Sequence, residues 1–231
     1  MWKKIPDNIL HDIHVLNDFT STANKESTLT VCKNEKQTFT AAASGGDNES
    51  VQSLGCDQRF GAVDRVADIH THPPGEMYSG LTPSHADLAV NLIESNENKK
   101  KQISCISNRE SELIICNESK QVPKRSKVNQ YIDKERSGGD FYNSKFHRKN
   151  VPKDFTTAYF DPATGQKVKP TDEQITRTMF GQSLGAIKKE NWPKTDRTNI
   201  CGYMADITAH PKRQSYTNKC SEMLRSEDGN S

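Results

Sequence analysis

Apolar residues in this chain come in short runs, of strand length or spaced for one helix face, and most lie before residue 118. None approaches the roughly 18 uninterrupted apolar residues of a membrane span, so a membrane-spanning helix is excluded. The same distribution sets the size of the fold. With 231 residues and 32% hydrophobic side chains, the chain can fill one modest core and not two good ones. The Met-Trp-Lys-Lys start is basic, but Pro6, Asp7, Asn8, His11 and Asp12 interrupt what a secretory leader needs as an apolar stretch. A cytoplasmic protein is therefore expected.

The runs read as an ordered set of elements. Residues 7–19 place Ile9, Ile13, Leu16 and Phe19 near one helical face, with Asp7 as N-cap. Leu29–Cys32 and Thr38–Ala42 read as a hairpin joined by Lys33-Asn34-Glu35-Lys36. Residues 44–58, rich in Gly, Ser, Asp and Asn, read as a loop. A strand over 62–69 follows, ending at His70, and then a proline-rich loop over 73–83. Ser84 caps a helix over 85–96 with Ala86, Leu88, Ala89, Leu92 and Ile93 apolar. Residues 102–107 and 111–116 form a second hairpin turning at Asn108-Arg109-Glu110. This order predicts an α/β fold: a mixed β-sheet flanked by helices, about 120 residues long.

Charge divides the chain further. Residues 1–118 hold 17 Asp/Glu against 11 Lys/Arg, and residues 119–231 hold 13 against 21. The expected organisation is a domain over 1–118, a basic linker over 119–153 and a small hairpin-helix region over 154–231, together a basic, less regular extension. Within that last region, Phe155–Phe160 and Gln166–Val168 flank a turn at Asp161-Pro-Ala-Thr-Gly165. Thr171 and Gln174 then form a capping box opening a helix to about Lys189. Six cysteines, at 32, 56, 105, 116, 201 and 220, form no Cys-x-x-Cys pair. Cys32, Cys105 and Cys116 lie in apolar runs, where a thiol packs as a small hydrophobe, so a reducing compartment is expected, with a secreted, disulfide-linked protein as the alternative that the even number of cysteines keeps open.

One string carries chemistry: residues 67–88, ADIHTHPPGEMYSGLTPSHADL. Side chains alternate along a strand, so His70 and His72 point to the same side and can grip one ion. Imidazole suits Zn²⁺, which in catalytic sites takes three protein ligands and a water. Asp87, in the first turn of the next helix, is placed to be the third. Ser84, one turn earlier, can donate a hydrogen bond near the metal.

The string resembles the signature of the JAMM (MPN+) zinc metalloproteases: His-x-His-Pro, here His70, His72 and Pro73, then Ser-x-x-Asp, here Ser84 and Asp87. The resemblance covers roughly residues 5–118 and implies a JAMM-like sheet with Zn²⁺ as cofactor. It also implies a glutamate before an early strand, acting as general base on a zinc-bound water. Glu26 matches best, although Ser27-Thr28-Leu29 stands where the family often has glycines. Glu35, in a turn, is the rival, and Glu49 falls in the polar loop. The family cleaves peptide or isopeptide bonds, often at the tail of a ubiquitin-like protein, so a protein substrate is implied. Ser84 would stabilise the oxyanion, and the loop over 74–83 with Met77, Tyr78 and Leu81 would either gate access or simply pack on the domain. A scaffold without catalysis is the alternative, as is nucleic-acid binding by the basic region with Tyr131, Phe141, Tyr142 and Phe146.

Overall fold

The computed structural model describes residues 1–36, 38–44, 55–56, 64–73, 81, 85–136, 153–171, 174 and 178. The elements in chain order are α1 (Asp7–Ala23), β1 (Ser27–Lys33), β2 (Thr38–Ser44), β3 (Asp64–Thr71), α2 (His85–Glu97), β4 (Ile103–Ser107) and β5 (Ile114–Ser119). They continue with α3 (Arg125–Arg136), β6 (Phe155–Phe160) and β7 (Lys167–Val168). The strands form one seven-stranded mixed sheet in the order β2-β1-β3-β4-β5-β6-β7. β3 and β4 are parallel, joined by a crossover through α2, while the other neighbours are antiparallel. An α/β fold is thus what the chain adopts. Among the described residues no helix is long and apolar enough to cross a membrane.

Alternation along the strands divides the core between two faces. Leu29, Val31, Ala67, Ile69, Ile103, Ile114, Ala158 and Phe160 meet Ile9, Leu10, Ile13 and Leu16 of α1 on one face. On the other, Leu88, Ala89 and Leu92 of α2 pack with Val128 and Tyr131 of α3 and with Phe155. α1 runs past the expected end at residue 19 because Thr20 is buried and hydrogen-bonds Thr71; it stops at Asn24, whose φ of 51° ends the helical path. Asp7 is the first helical residue and not the cap: Pro6 holds that position with no side-chain capping bond, and Asp7 pairs with Lys4.

The second hairpin turns later than expected. Asn108 Oδ1 accepts from Glu110 N, and Ser111 Oγ bonds both ends of Leu113, so the turn extends to Leu113. The sheet does not stop at residue 118. β5 runs to Ser119 and is covered on its far edge by β6, and α3 lies within the stretch expected as linker. The β6–β7 hairpin turns as predicted, with Asp161 Oδ1 accepting from Ala163 N and Thr164 N. The Thr171–Gln174 capping box forms both reciprocal bonds, at 2.9 and 3.1 Å. The expected helix beyond it lies outside the described residues, apart from Gln174 and Thr178.

The cysteine expectation is corrected. Cys105 and Cys116 are direct cross-strand partners and form a disulfide, and Cys32 is disulfide-bonded to Cys56. The reading of a reducing compartment rested on Cys32, Cys105 and Cys116 acting as free thiols and loses that support. Nucleic-acid stacking loses one of its aromatics as well. Tyr131 is fully buried, edge-on to Phe155 with its hydroxyl donating to Asp154, so it offers no face to a base.

Candidate metal centre

The site lies at the carboxyl end of β3, which has antiparallel β1 along one edge and parallel β4 along the other. Ligands in open α/β sheets bind at such strand ends. From Ala67 onward the odd-numbered residues of β3 face α1 and the even-numbered ones face α2; a register shift before Ala67 reverses the pattern, so that Val66 packs on the α1 side and Arg65 reaches Glu94 of α2. Asp68 and His70 therefore point to the α2 side, and His72, just past the strand, continues the alternation. The backbone N–H of His72 donates to Ser107 O at 3.1 Å, which holds it in line with the sheet. Pairing on the other edge runs Thr28 with His70 and Ser27 with Thr71. One step further along that ladder sets Glu26 opposite His72.

The side chains meet as the register demands. Glu26 Oε1 lies 3.1 Å from His72 Nε2, and the His70 and His72 ring centroids are 5.0 Å apart. One ligand atom from each of Glu26, His70 and His72 lies within 4.8 Å of the other two, close enough to hold a metal ion. Asp87, in the first turn of α2, brings Oδ2 to 3.5 Å from His70 Nε2. That nitrogen is buried and makes no hydrogen bond. Two imidazoles and two carboxylates around an unsatisfied buried nitrogen fit a divalent cation with nitrogen and oxygen ligands. The compact group holds Glu26 where the sequence expectation had Asp87, with Asp87 reaching in from the side.

Other expected residues fall elsewhere. Glu35 is exposed in the β1–β2 turn, at the opposite end of β1 from the cluster. Ser84, Glu49, Met77 and Tyr78 lie outside the described residues, while Leu81 is fully buried. The neighbourhood also includes polar residues that the sequence reading passed over. A cavity of about 70 Å³ runs from Glu26, His70 and Asp87 along the sheet to Arg65, Glu94 and Gln102. Arg65 Nη1 donates to Glu94 at 2.8 Å, and Asp68 accepts from Thr28 and Thr30. Burial pushes the Glu94 carboxyl above its ordinary value; Arg65 opposes the rise and Asp68 adds to it. Two signals were present in the sequence: Asp68 stands two residues before His70, and Asp87, Asn91 and Glu94 recur on one helical face. A scan of the chain against protein-family models finds no match, and a search of curated proteins finds none.

Proposed function

We propose that this chain is a zinc-dependent hydrolase of JAMM type, a metalloprotease or isopeptidase that cleaves peptide or isopeptide bonds, with the tails of ubiquitin-like proteins among its substrates. The observation that carries the reading is the convergence of Glu26, His70, His72 and Asp87 at one strand end. His70, His72 and Asp87 would hold the ion, and Glu26 would serve as general base. Zinc bound there supplies a Lewis acid that polarises a carbonyl and acidifies a water molecule.

The remaining work falls to the chain. Glu26 receives the proton as the water oxygen bonds to the carbonyl carbon. It returns that proton to the nitrogen as the carbon–nitrogen bond breaks, so a carboxylic acid and an amine leave. His70 and His72 are held by the β3 ladder, which spares them reorganisation during the reaction. Ser84, three residues before Asp87, is assigned the oxyanion role on the resemblance alone.

Two variants separate base from ligand. Glu26→Gln is expected to retain zinc while cleavage falls by about 10²-fold or more. Asp87→Asn is expected to lose zinc as well as activity. Metal content by mass spectrometry and cleavage of peptide and ubiquitin-like fusion substrates read both. A Glu26→Gln form with full activity would overturn the assignment of Glu26, and zinc-free wild-type protein after growth in zinc would overturn the reading. Glu26→Gln with zinc and no cleavage by the wild type would favour the scaffold.

A further inference from the structure

The cavity beside the metal cluster ends in a polar wall that is buried yet incompletely bonded. Gln102, directly before β4, is 3% exposed. Its backbone is fully used: its N–H donates to Ser95 Oγ, and its carbonyl accepts from Asn91 Nδ2. Its side-chain amide has no partner at either Oε1 or Nε2, so turning the amide over changes nothing. Asn91 Oδ1 also lacks a hydrogen-bond partner, whereas the neighbouring Arg65 Nη2 is ion-paired with Asp68 Oδ1 at 3.2 Å. All three residues line the cavity. Buried polar atoms are almost always bonded, so three unbonded amide atoms around one cavity mark a place where another molecule supplies the partners.

Donor and acceptor counts select the chemistry. Gln102 Oε1 and Asn91 Oδ1 call for donors, while Gln102 Nε2 calls for an acceptor. An ammonium group has donors only, and a carboxylate has acceptors only. A carboxylate also meets Glu26, Asp68, Asp87 and Glu94 in the cavity lining, against Arg65, which is already paired with Asp68 and Glu94. An aliphatic group would leave all three atoms unbonded. A primary carboxamide provides two N–H donors and a carbonyl with two lone pairs, matching the set. We infer that this cavity is a subsite for a terminal carboxamide, the side chain of an Asn or Gln next to the bond at the metal cluster. The placement next to that bond rests on the proposed hydrolase function; the recognition of a carboxamide does not.

The test has a binding arm and a cleavage arm. Full-length ¹⁵N-labelled protein is titrated with acetamide and, in parallel, with sodium acetate and acetone. The Gln102 side-chain amide resonances should shift with acetamide, and acetate and acetone should move them at least about tenfold less at equal concentration. Gln102→Met and Gln102→Leu should abolish acetamide binding while keeping the wild-type backbone spectrum, since both backbone hydrogen bonds remain. An unmoved Gln102 signal in saturating acetamide means water alone fills the cavity and overturns the inference, as does an equal response to acetate. In the cleavage arm, zinc-loaded protein should prefer peptides with Asn or Gln beside the cut over Leu or Met by about tenfold or more in kcat/KM. Gln102→Met should lose that preference and keep cleavage. Cleavage without it sinks the placement of the carboxamide beside the cut and leaves the hydrolase standing. Acetamide binding with no zinc-dependent cleavage of any peptide sinks the hydrolase and leaves the subsite standing.

Discussion

Single residues decide where this chain turns and where its chemistry collects. His70 and His72 could be paired from the sequence because a strand repeats every two residues. Glu26 could be approached only by resemblance, since its distance to His72 depends on the β1–β3 register. Gly165 shows the same limit in a structural role. It adopts φ of 67° at the end of the Asp161 turn, and a Cβ there would come 3.0 Å from Ile5 O and 3.2 Å from Leu10 Cδ2. The sequence marked a turn glycine, but its contact with the start of the chain is tertiary. Gly165→Ala is expected to cost about 1–3 kcal/mol, from the left-handed backbone and the close approach. Urea unfolding of the two forms measures it, and an equal midpoint would show that the turn relaxes freely.

At the scale of elements, two features can be tested separately. The Cys105–Cys116 disulfide joins facing residues of β4 and β5 across a sequence separation of 11. Closing a loop of that size contributes about 2–4 kcal/mol, largely by restricting the unfolded chain. The double Cys105→Ala, Cys116→Ala variant should lose that much in chemical denaturation. The β6–β7 turn predicts a pH effect. Hydrogen bonds from the Thr164 backbone, opposed by slight burial and aided by the Thr164 hydroxyl and Ala163 N–H, hold the Asp161 carboxyl below its ordinary 3.8. A depressed folded-state pKa stabilises above the unfolded value and loses that stabilisation as pH falls through the folded one. Acid titration of stability should therefore be shallower below pH 3.8 in Asp161→Asn than in the wild type. Matching acid limbs would remove the turn from the account.

The whole molecule depends on pairings that span its charge division. The acidic first half supplies five strands, and the basic second half closes the sheet with β6 and covers α2 with α3. Cutting after residue 118 would strip β5 of its β6 partner and leave Leu88, Ala89 and Leu92 without Val128, Tyr131 and Phe155. A 1–118 fragment is expected to be aggregated or partly unfolded. Dispersed amide resonances from a monomeric fragment would show that the first half stands alone.

Local pattern was enough to read most elements from the sequence: periods of two and near four, turn residues, the Thr171–Gln174 capping box, and a histidine pair at a strand end. These features depend on residues a few positions apart, and covalent geometry limits what such neighbours can do. Strand order, the Cys105–Cys116 bond, the meeting of Glu26 with His72 and the buried Gln102 cavity depend on residues tens of positions apart. Their encounters follow from which faces the sheet and helices bury together, and only the folded chain decides that.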